Sequence, residues 1–241
     1  MSKIHHIVYP YKLPDEPFGF ELKYSIRSVF QHFKGNFDIT IIGDIPDWVN
    51  RDEIICIPFN NDDIKAQRQT KINQKILKAS ELYDDFILFN DDQYLLQDIT
   101  PEQLMLPRMW NKRLTFNNKE SVFRRQTQNT INKLMDLNCH WKQNMVSHCP
   151  YYYNSLKVKE LNNRINLVPF DTLSIVFEVA YFNYFEIKAF DAADYRIGFY
   201  NRVNKIDTSN YYILNHDNRG INTNPGLLEL ISKFNKCKGE K

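Results

Sequence analysis

The chain lacks most of the features that settle a protein's class at a glance. No apolar run is long enough to cross a bilayer, and the most apolar late stretch, Leu173 to Phe185, is broken by Glu178 and Asn183. The opening residues Met1-Ser2-Lys3-Ile4-His5-His6 have no apolar centre of the kind a secretory signal needs. The four cysteines, Cys56, Cys139, Cys149 and Cys237, show no CxxC spacing, so reduced thiols in a cytoplasmic protein are the simplest expectation. No internal repeat, low-complexity block or linker stands out. Neither sign of charge is in excess: the formal net charge is +2, so nothing demands a nucleic acid or an anionic membrane as partner. Glycine is scarce, at seven residues, whereas aromatics are plentiful, with 17 Phe and 14 Tyr. The remaining balance, 43% hydrophobic and 25% charged over 241 residues, is that of a globular protein with one sizeable core.

One stretch organises the rest. Phe86-Ile87-Leu88-Phe89 runs straight into Asn90-Asp91-Asp92. A short, continuous apolar run reads as a strand buried on both faces, as in a parallel sheet covered by helices. In such sheets ligands gather outside the carboxyl ends of the strands. Two adjacent carboxylates repel each other and resist burial, so folding alone gives little reason to place Asp91 and Asp92 there. A divalent cation removes the conflict, and hard oxygen ligands suit Mg2+ or Mn2+, which take one or two carboxylates together with phosphate oxygens. The alternative is a polar turn, where Asn and Asp tolerate unusual backbone angles.

In chain order, Ile4 to Tyr9 reads as a first strand closed by Pro10. Glu21 to Phe33 is a helix, with Leu22, Ile26, Val29, Phe30 and Phe33 on one face and Gly35 as its C-terminal cap. Strands are expected at Phe37–Ile42 and Ile54–Ile57, separated by a turn at Ile45-Pro46-Asp47-Trp48-Val49. Asn60-Asn61-Asp62-Asp63 supplies capping residues for a helix from about Ile64 to Leu82. Its Ile72, Ile76, Ala79 and Tyr83 share a face, and Lys65, Arg68, Lys71, Lys75 and Lys78 make it basic elsewhere. Helices crossing between buried strands argue for an α/β sheet.

Beyond it, Thr100-Pro101-Glu102 starts a short helix, and Ser121–Leu137, Ser155–Leu161 and Thr172–Tyr184 read as further helices. Residues 186–204 suggest a strand pair and Tyr211–Leu214 a last strand, followed by Asn215-His216-Asp217. Asn224-Pro225 opens a final helix to Phe234, and the tail Lys236–Lys241 is expected to fray. The whole is expected to be a single domain, with an α/β half at 1–106 for the donor and a more helical half with closing strands, 107–241, for the acceptor.

The order of these segments resembles that of the Stealth family, sugar-phosphate transferases of capsular polysaccharide synthesis with relatives that phosphorylate lysosomal glycans. Glu21-Leu22-Lys23-Tyr24-Ser25-Ile26-Arg27-Ser28 is similar to that family's Glu-Leu-Arg-Tyr-Ser-Leu-Arg-Ser segment. A strand, Ile39–Gly43, and a proline–tryptophan turn follow in both, then Asn90-Asp91-Asp92. Ser147-His148-Cys149-Pro150-Tyr151 resembles the later His-Pro block, and Leu214-Asn215-His216-Asp217 looks like a stretched version of the last one. The opening strand departs from the family pattern: Ile7-Val8-Tyr9-Pro10-Tyr11-Lys12 carries no aspartate.

The resemblance implies a GT-A-like fold, a mostly parallel twisted sheet flanked by helices. It also implies a nucleotide-diphosphate sugar as donor and a Mg2+ or Mn2+ ion held at the acidic strand end. On this reading Asp92, with Asp91, grips the cation, and Asn215 or Asp217 completes its shell or else merely forms a turn. The acceptor is a glycan or another hydroxyl compound, and the reaction is transfer of the sugar 1-phosphate or, alternatively, of the sugar itself. Loss of turnover on a retained scaffold, leaving a sugar-nucleotide-binding protein, is a further alternative.

Tyr9, Asn90, Arg27, Lys71 and Lys75 are the candidate donor-binding residues. Arg27 suits a bidentate phosphate contact or a solvated helix face, and the two lysines suit phosphate contact or simple exposure. His148 is the candidate general base, since an imidazole titrates near neutrality. Cys139-His140 and His148-Cys149 form a mirror pattern, but its spacing matches no common zinc finger. Tyr151-Tyr152-Tyr153 suits either stacking on a base or sugar, or the core. The basic helix is the only hint of a polyanionic acceptor such as nucleic acid, and a solvated face explains it as well.

Overall fold

A computed structural model describes residues 3–14, 20–60, 68–110, 121–139, 143–169, 173–199, 209–216 and 225–241. Strand β1, Ile4–Tyr11, leads through helix α1, Phe20–His32, to β2, Asn36–Gly43, and then to β3, Ile55–Pro58. Helix α2, Arg68–Leu82, returns the chain to β4, Asp85–Leu88. These four strands are mutually parallel, and β7, Tyr151–Asn154, adds an antiparallel edge, giving the order β3-β2-β1-β4-β7. A second sheet has the order β5-β10-β9, from Gln93–Leu95, Ile213–His216 and Arg196–Phe199. A two-stranded ribbon joins β6, Arg108–Met109, to β8, Phe190–Asp191.

The remaining helices are α3 (Pro101–Met105), α4 (Val122–Asp136), α5 (Ser155–Arg164), α6 (Phe177–Tyr184) and α7 (Pro225–Ser232), which makes seven among the described residues. The architecture is mixed α/β with a mostly parallel central sheet, consistent with a GT-A-like fold.

The central sheet is buried on both faces, as its continuous apolar strands require. Ile7, Tyr9 and Tyr11 of β1 face one core with Leu22, Ile26 and Val29 of α1. Val8 and Ile42 face the other, shared with Ile76 and Ala79 of α2, Val158 and Leu161 of α5, and Val179 and Ala180 of α6. Tyr151 and Tyr153 are buried in this second core rather than offered to a ligand. A third, smaller core places Leu227 and Ile231 of α7 against Tyr94 and Leu214.

Several local expectations hold in detail. Helix α3 starts with Thr100 accepting from the Gln103 amide and the Gln103 side chain accepting from the Thr100 amide, with proline in the first turn. Ser121 caps α4 by accepting from the Arg124 amide. The start expected for α2, Asn61 to Ile64 with Lys65, lies outside the described residues.

Other expectations are corrected. Pro10 does not close β1, which runs on to Tyr11 in register with Gly43. The Val8 carbonyl accepts from the Phe89 amide, so Pro10, two residues on, turns its nitrogen to the same side, where the described pairing with β4 has already ended. No ladder bond is lost there. Gly35 is not a left-handed cap. Its role is close approach, since a Cβ there would come within 2.7 Å of Pro101 Cγ.

The strand pair expected within 186–204 exists as two strands that pair elsewhere, β8 with β6 and β9 with β10. Strand β10 begins and ends later than the apolar pattern suggested, so Asn215 and His216 lie within it. Helix α6 begins at Phe177 rather than near Thr172. Nor does the tail fray. Glu240 bridges to Val49, the Asn50 amide donates to the Gly239 carbonyl at 2.8 Å, and the Lys241 amide donates to the Trp48 carbonyl at 2.9 Å.

Candidate functional site

Strand order fixes where a crevice forms. From β1 the chain moves to β2 and β3 on one side, then crosses through α2 to β4 on the other. The carboxyl ends of β1 and β4 therefore face a topological switch point, the place where open α/β sheets bind ligands. Tyr9–Tyr11 ends one of these strands, and Asn90-Asp91-Asp92 follows the other.

The acidic turn is held rigidly from beneath. The Asn90 amide donates to Gln93 Oε1 at 2.9 Å, and the Gln93 amide donates to the Asn90 carbonyl at 3.2 Å, closing the turn around Asp91 and Asp92. Helix α1 then fastens the segment that follows. Ser25 Oγ donates to the Gln93 carbonyl and also bonds the Tyr9 hydroxyl at 2.9 Å. Ser28 Oγ accepts from the Leu95 amide at 2.9 Å and donates to the Ser25 carbonyl at 2.7 Å. Both serines are fully buried, so these bonds are sheltered from water. The Tyr-Ser-Ile-Arg-Ser segment thus places hydroxyls one helical turn apart as a clamp on the acidic turn. Tyr9 belongs to this clamp.

Electrostatically the turn is under-compensated. Asp91 and Asp92 are half-buried, and protein packs closely around both carboxylates. Burial raises the pKa of each, and for Asp92 the Asp91 and Glu21 charges add to it, to about 8. Arg68 pulls both down, and Lys75 pulls Asp91 down, but neither prevails. Asp92 Oδ1 is buried with no hydrogen-bond partner.

Glu21, in the first turn of α1, is a third carboxylate at this site, which the sequence pattern did not bring forward. Burial, then Asp91, raises its pKa to about 7. Its Oε1 lies 3.9 Å from His216 Nε2, and that nitrogen is 2.9 Å from the Tyr94 hydroxyl. The only available signal was position: Glu21 heads the Glu-Leu-Lys-Tyr-Ser-Ile-Arg-Ser segment just where apolar periodicity draws the eye to the core-facing residues. Asn215 is brought to the same place, since it lies opposite Gln93 in the β5–β10 ladder.

The lysines and arginine behave differently from a shared donor site. Lys75, expected either to contact phosphate or to be exposed, is buried, and its Nζ donates to the Tyr11 carbonyl at 2.6 Å. Burial lowers its pKa to about 8, although Asp44 and Asp91 act the other way. It braces the tip of β1 beside Gly43, whose φ of +143° and 1.8 Å approach of a hypothetical Cβ to the Tyr11 carbonyl oxygen admit no side chain. Lys71 lies one turn earlier and contributes positive charge near Lys75. Arg27 is taken up elsewhere: its Nε and Nη2 fork onto Glu240 at 2.7 and 2.8 Å. Asn90 is exposed at the turn, and Asp217 lies outside the described residues.

His148 reaches the same end of the sheet by register. Strand β7 pairs Tyr151 with Leu88, so the residues before Tyr151 run alongside those after Leu88, towards the acidic turn. His148 has φ of +53° between buried Ser147 and Cys149, and this left-handed turn presents an exposed imidazole. Crowding by protein, then the Arg196 charge, lower its pKa to about 4. With its pKa lowered this far, the ring is neutral at physiological pH.

The donor set fits a hard divalent cation at Asp91 and Asp92: two carboxylates in conflict, one with an orphaned buried oxygen. Among the described residues no three His, Cys, Asp or Glu side chains group closely enough to form a cage by themselves, so ligand oxygens and water would complete the shell. For the cysteine–histidine mirror, His140 lies outside the described residues. The Cys139 thiol donates to the Asn183 carbonyl at 3.0 Å, and Cys149 is buried, its thiol pKa pushed up to about 11 by burial. All four cysteines are free, and no helix among the described residues is long and apolar enough to cross a membrane.

No family model and no curated protein matches the sequence. Among solved structures, one match is the apo form of WbbM, a bifunctional glycosyltransferase, with a TM-score of 0.49 and 12% identity. The match covers 82% of this chain and 40% of that one, so this chain spans less than half of the WbbM chain.

Proposed function

We propose that this chain is a transferase that uses a nucleotide-diphosphate sugar and moves the sugar 1-phosphate to an acceptor hydroxyl. The observation that carries the reading is the pair Asp91–Asp92 at the switch point, clamped by Ser25 and Ser28 while Asp92 Oδ1 remains buried without a partner. A fold that needed only a turn has no use for two raised carboxylates with a third, Glu21, beside them. The order of the short motifs along the chain supports the phosphoryl branch.

Asp91 and Asp92, with Asn215 close by, are the residues that would hold Mg2+ or Mn2+. The ion would supply Lewis-acid stabilisation of charge on the diphosphate. The chain's own contributions are positional. Tyr9, Ser25, Ser28 and Gln93 fix the turn, so the carboxylates need no reorganisation when donor arrives. Lys75 and Gly43 hold the tip of β1 against them. His148 is unprotonated at neutral pH and at the same sheet end, which suits removal of the acceptor's proton. An anion beside Arg196 would offset the charge that depresses His148 and make it a stronger base.

A second reading, transfer of the sugar itself, is favoured by one feature: the opening strand has no aspartate at its carboxyl end. Incubation of the protein, Mn2+, a panel of nucleotide sugars and hydroxyl acceptors, followed by chromatography of the released nucleotide, separates the two. A nucleoside monophosphate is expected. A diphosphate would replace the phosphoryl reading with the glycosyl one, and release of neither from any donor would contradict both.

A further inference from the structure

Two arginines of the second half of the chain are packed on aromatic rings. Arg108, in β6, lies with its guanidinium carbon 3.9 Å from the Tyr195 ring centre and 5.7 Å from that of Phe190. Arg196, at the start of β9, lies 4.9 Å from the Trp110 ring centre. Both arginine charges act on Cys149, and Arg196 acts on His148. Hydrogen bonds to the backbone bring the 108–110 and 144–147 segments together. Ser147 Oγ donates to the Arg108 carbonyl at 2.9 Å, and the Trp110 amide donates to the Asn144 carbonyl at 2.9 Å.

Stacking on aromatic faces uses the flat side of a guanidinium and leaves its in-plane N–H groups for acceptors. The Arg108 Nε is buried without a hydrogen-bond partner, and among the described residues no carboxylate forms an ion pair with Arg108. A buried N–H of a charged group left unpaired is costly, so a site that keeps one is shaped for an incoming acceptor atom.

The cluster is also distinct from the place of the donor's diphosphate. In the second sheet Arg196 lies opposite Ile213, whereas Gln93, at the acidic turn, lies opposite Asn215. The two positions are two residues apart along β10, roughly 7 Å.

We propose that Arg108 and Arg196 form a subsite for an anionic group, a phosphate or carboxylate carried by the acceptor, and so place the acceptor hydroxyl beside His148. The assignment of this anion to the acceptor rests on the transferase reading; the anion site itself does not. The Arg108 fork grips two oxygens of the anion in plane while Tyr195 and Phe190 hold it flat.

The test is calorimetric titration of the full chain with glucose 6-phosphate, glucuronate and glucose, and of the same preparations with a nucleoside diphosphate plus Mn2+. Both anionic sugars, or one of them, are expected to bind about tenfold or more tightly than glucose, and the stronger identifies phosphate or carboxylate as the group. Arg108→Gln should abolish that preference and leave nucleoside diphosphate binding in place. Arg108→Lys, which keeps the charge and loses the fork, should weaken the anionic sugar several-fold. Equal binding of charged and neutral sugars by the unaltered protein, or undiminished anionic binding by either variant that folds, overturns the subsite. Arg108-dependent binding of an anionic sugar with no nucleotide binding leaves the subsite standing and removes the transferase reading.

Discussion

Two carboxylates in this molecule, Glu240 and Asp92, meet opposite fates. The Glu240 side chain, almost wholly buried, is gripped by the Arg27 fork, by Lys23 at 3.1 Å and by the Cys237 amide at 3.1 Å. Burial alone would raise its pKa, yet these partners outweigh burial and hold it at about 2. Asp92 has the same chemistry, but there burial and then the Asp91 and Glu21 charges act in one direction, and it is pushed up to about 8. Where the chain needs a carboxylate for stability, it supplies cations and amides. At the switch point it supplies more carboxylates and a clamp, the environment that the proposed cation site requires.

The sharpest way to break this contrast is to neutralise each carboxylate in turn. Asp92→Asn should reduce transferase turnover by about a thousandfold or more, the scale of losing a principal electrostatic stabiliser, while leaving the protein at least as stable as before. Thermal melting alongside the activity assay checks both halves. Glu240→Gln should do the reverse: stability should fall by about 3 kcal/mol, because Arg27 is left half-buried without its partner, and turnover should change little at temperatures where the variant is folded.

The pH dependence should also run in opposite directions. Asp92 and Glu21 are more protonated folded than unfolded over the range from about 4 to their raised values. They favour the folded state at low pH, and that contribution is lost as pH rises through about 7 to 8. Glu240 is less protonated folded than unfolded, so its contribution is present above its ordinary value near 4.5 and is lost as pH falls towards about 2. Melting temperatures of the Glu21→Gln, Asp92→Asn and Glu240→Gln variants across pH should therefore show slopes that flatten in opposite regions, and Mn2+ should suppress the neutral-pH loss only where both aspartates remain. The smallest effect belongs to the clamp: Ser28→Ala removes the acceptor for the buried Leu95 amide and should cost about 1 to 2 kcal/mol, with a modest loss of turnover, read from denaturant melts and initial rates.

The pattern of sequence that led to the acidic strand end was local, and so it could be read: an apolar run, two carboxylates, and helices with clear periods on either side. The Asn215–Gln93 pairing was half legible, because a last strand was expected at Tyr211–Leu214 with Asn215 just past its end, but its antiparallel partner was not. What stayed hidden depends on distant partners. Glu21 looks like an ordinary first-turn acid until β4 brings Asp91 to it. Arg27 looks like a phosphate ligand until the last residues fold back with Glu240. Lys75 reads as one more lysine on a basic face, although its ammonium group ends on the Tyr11 carbonyl. Arg108 sits beside a polar stretch with no period, and only the β6–β8 ribbon and Tyr195 give it a place. In each case the side chain's partner is many residues away, so composition and spacing carry no trace of it.

The central claim is that Asp91 and Asp92 form an incomplete cation site which a nucleotide's diphosphate completes. Calorimetric titration of a nucleoside diphosphate, with and without Mn2+, into the unaltered protein and into Asp92→Asn tests it most directly. Tight binding that requires both Mn2+ and Asp92 is predicted. Binding that is the same without the metal, or undiminished in Asp92→Asn, would contradict it.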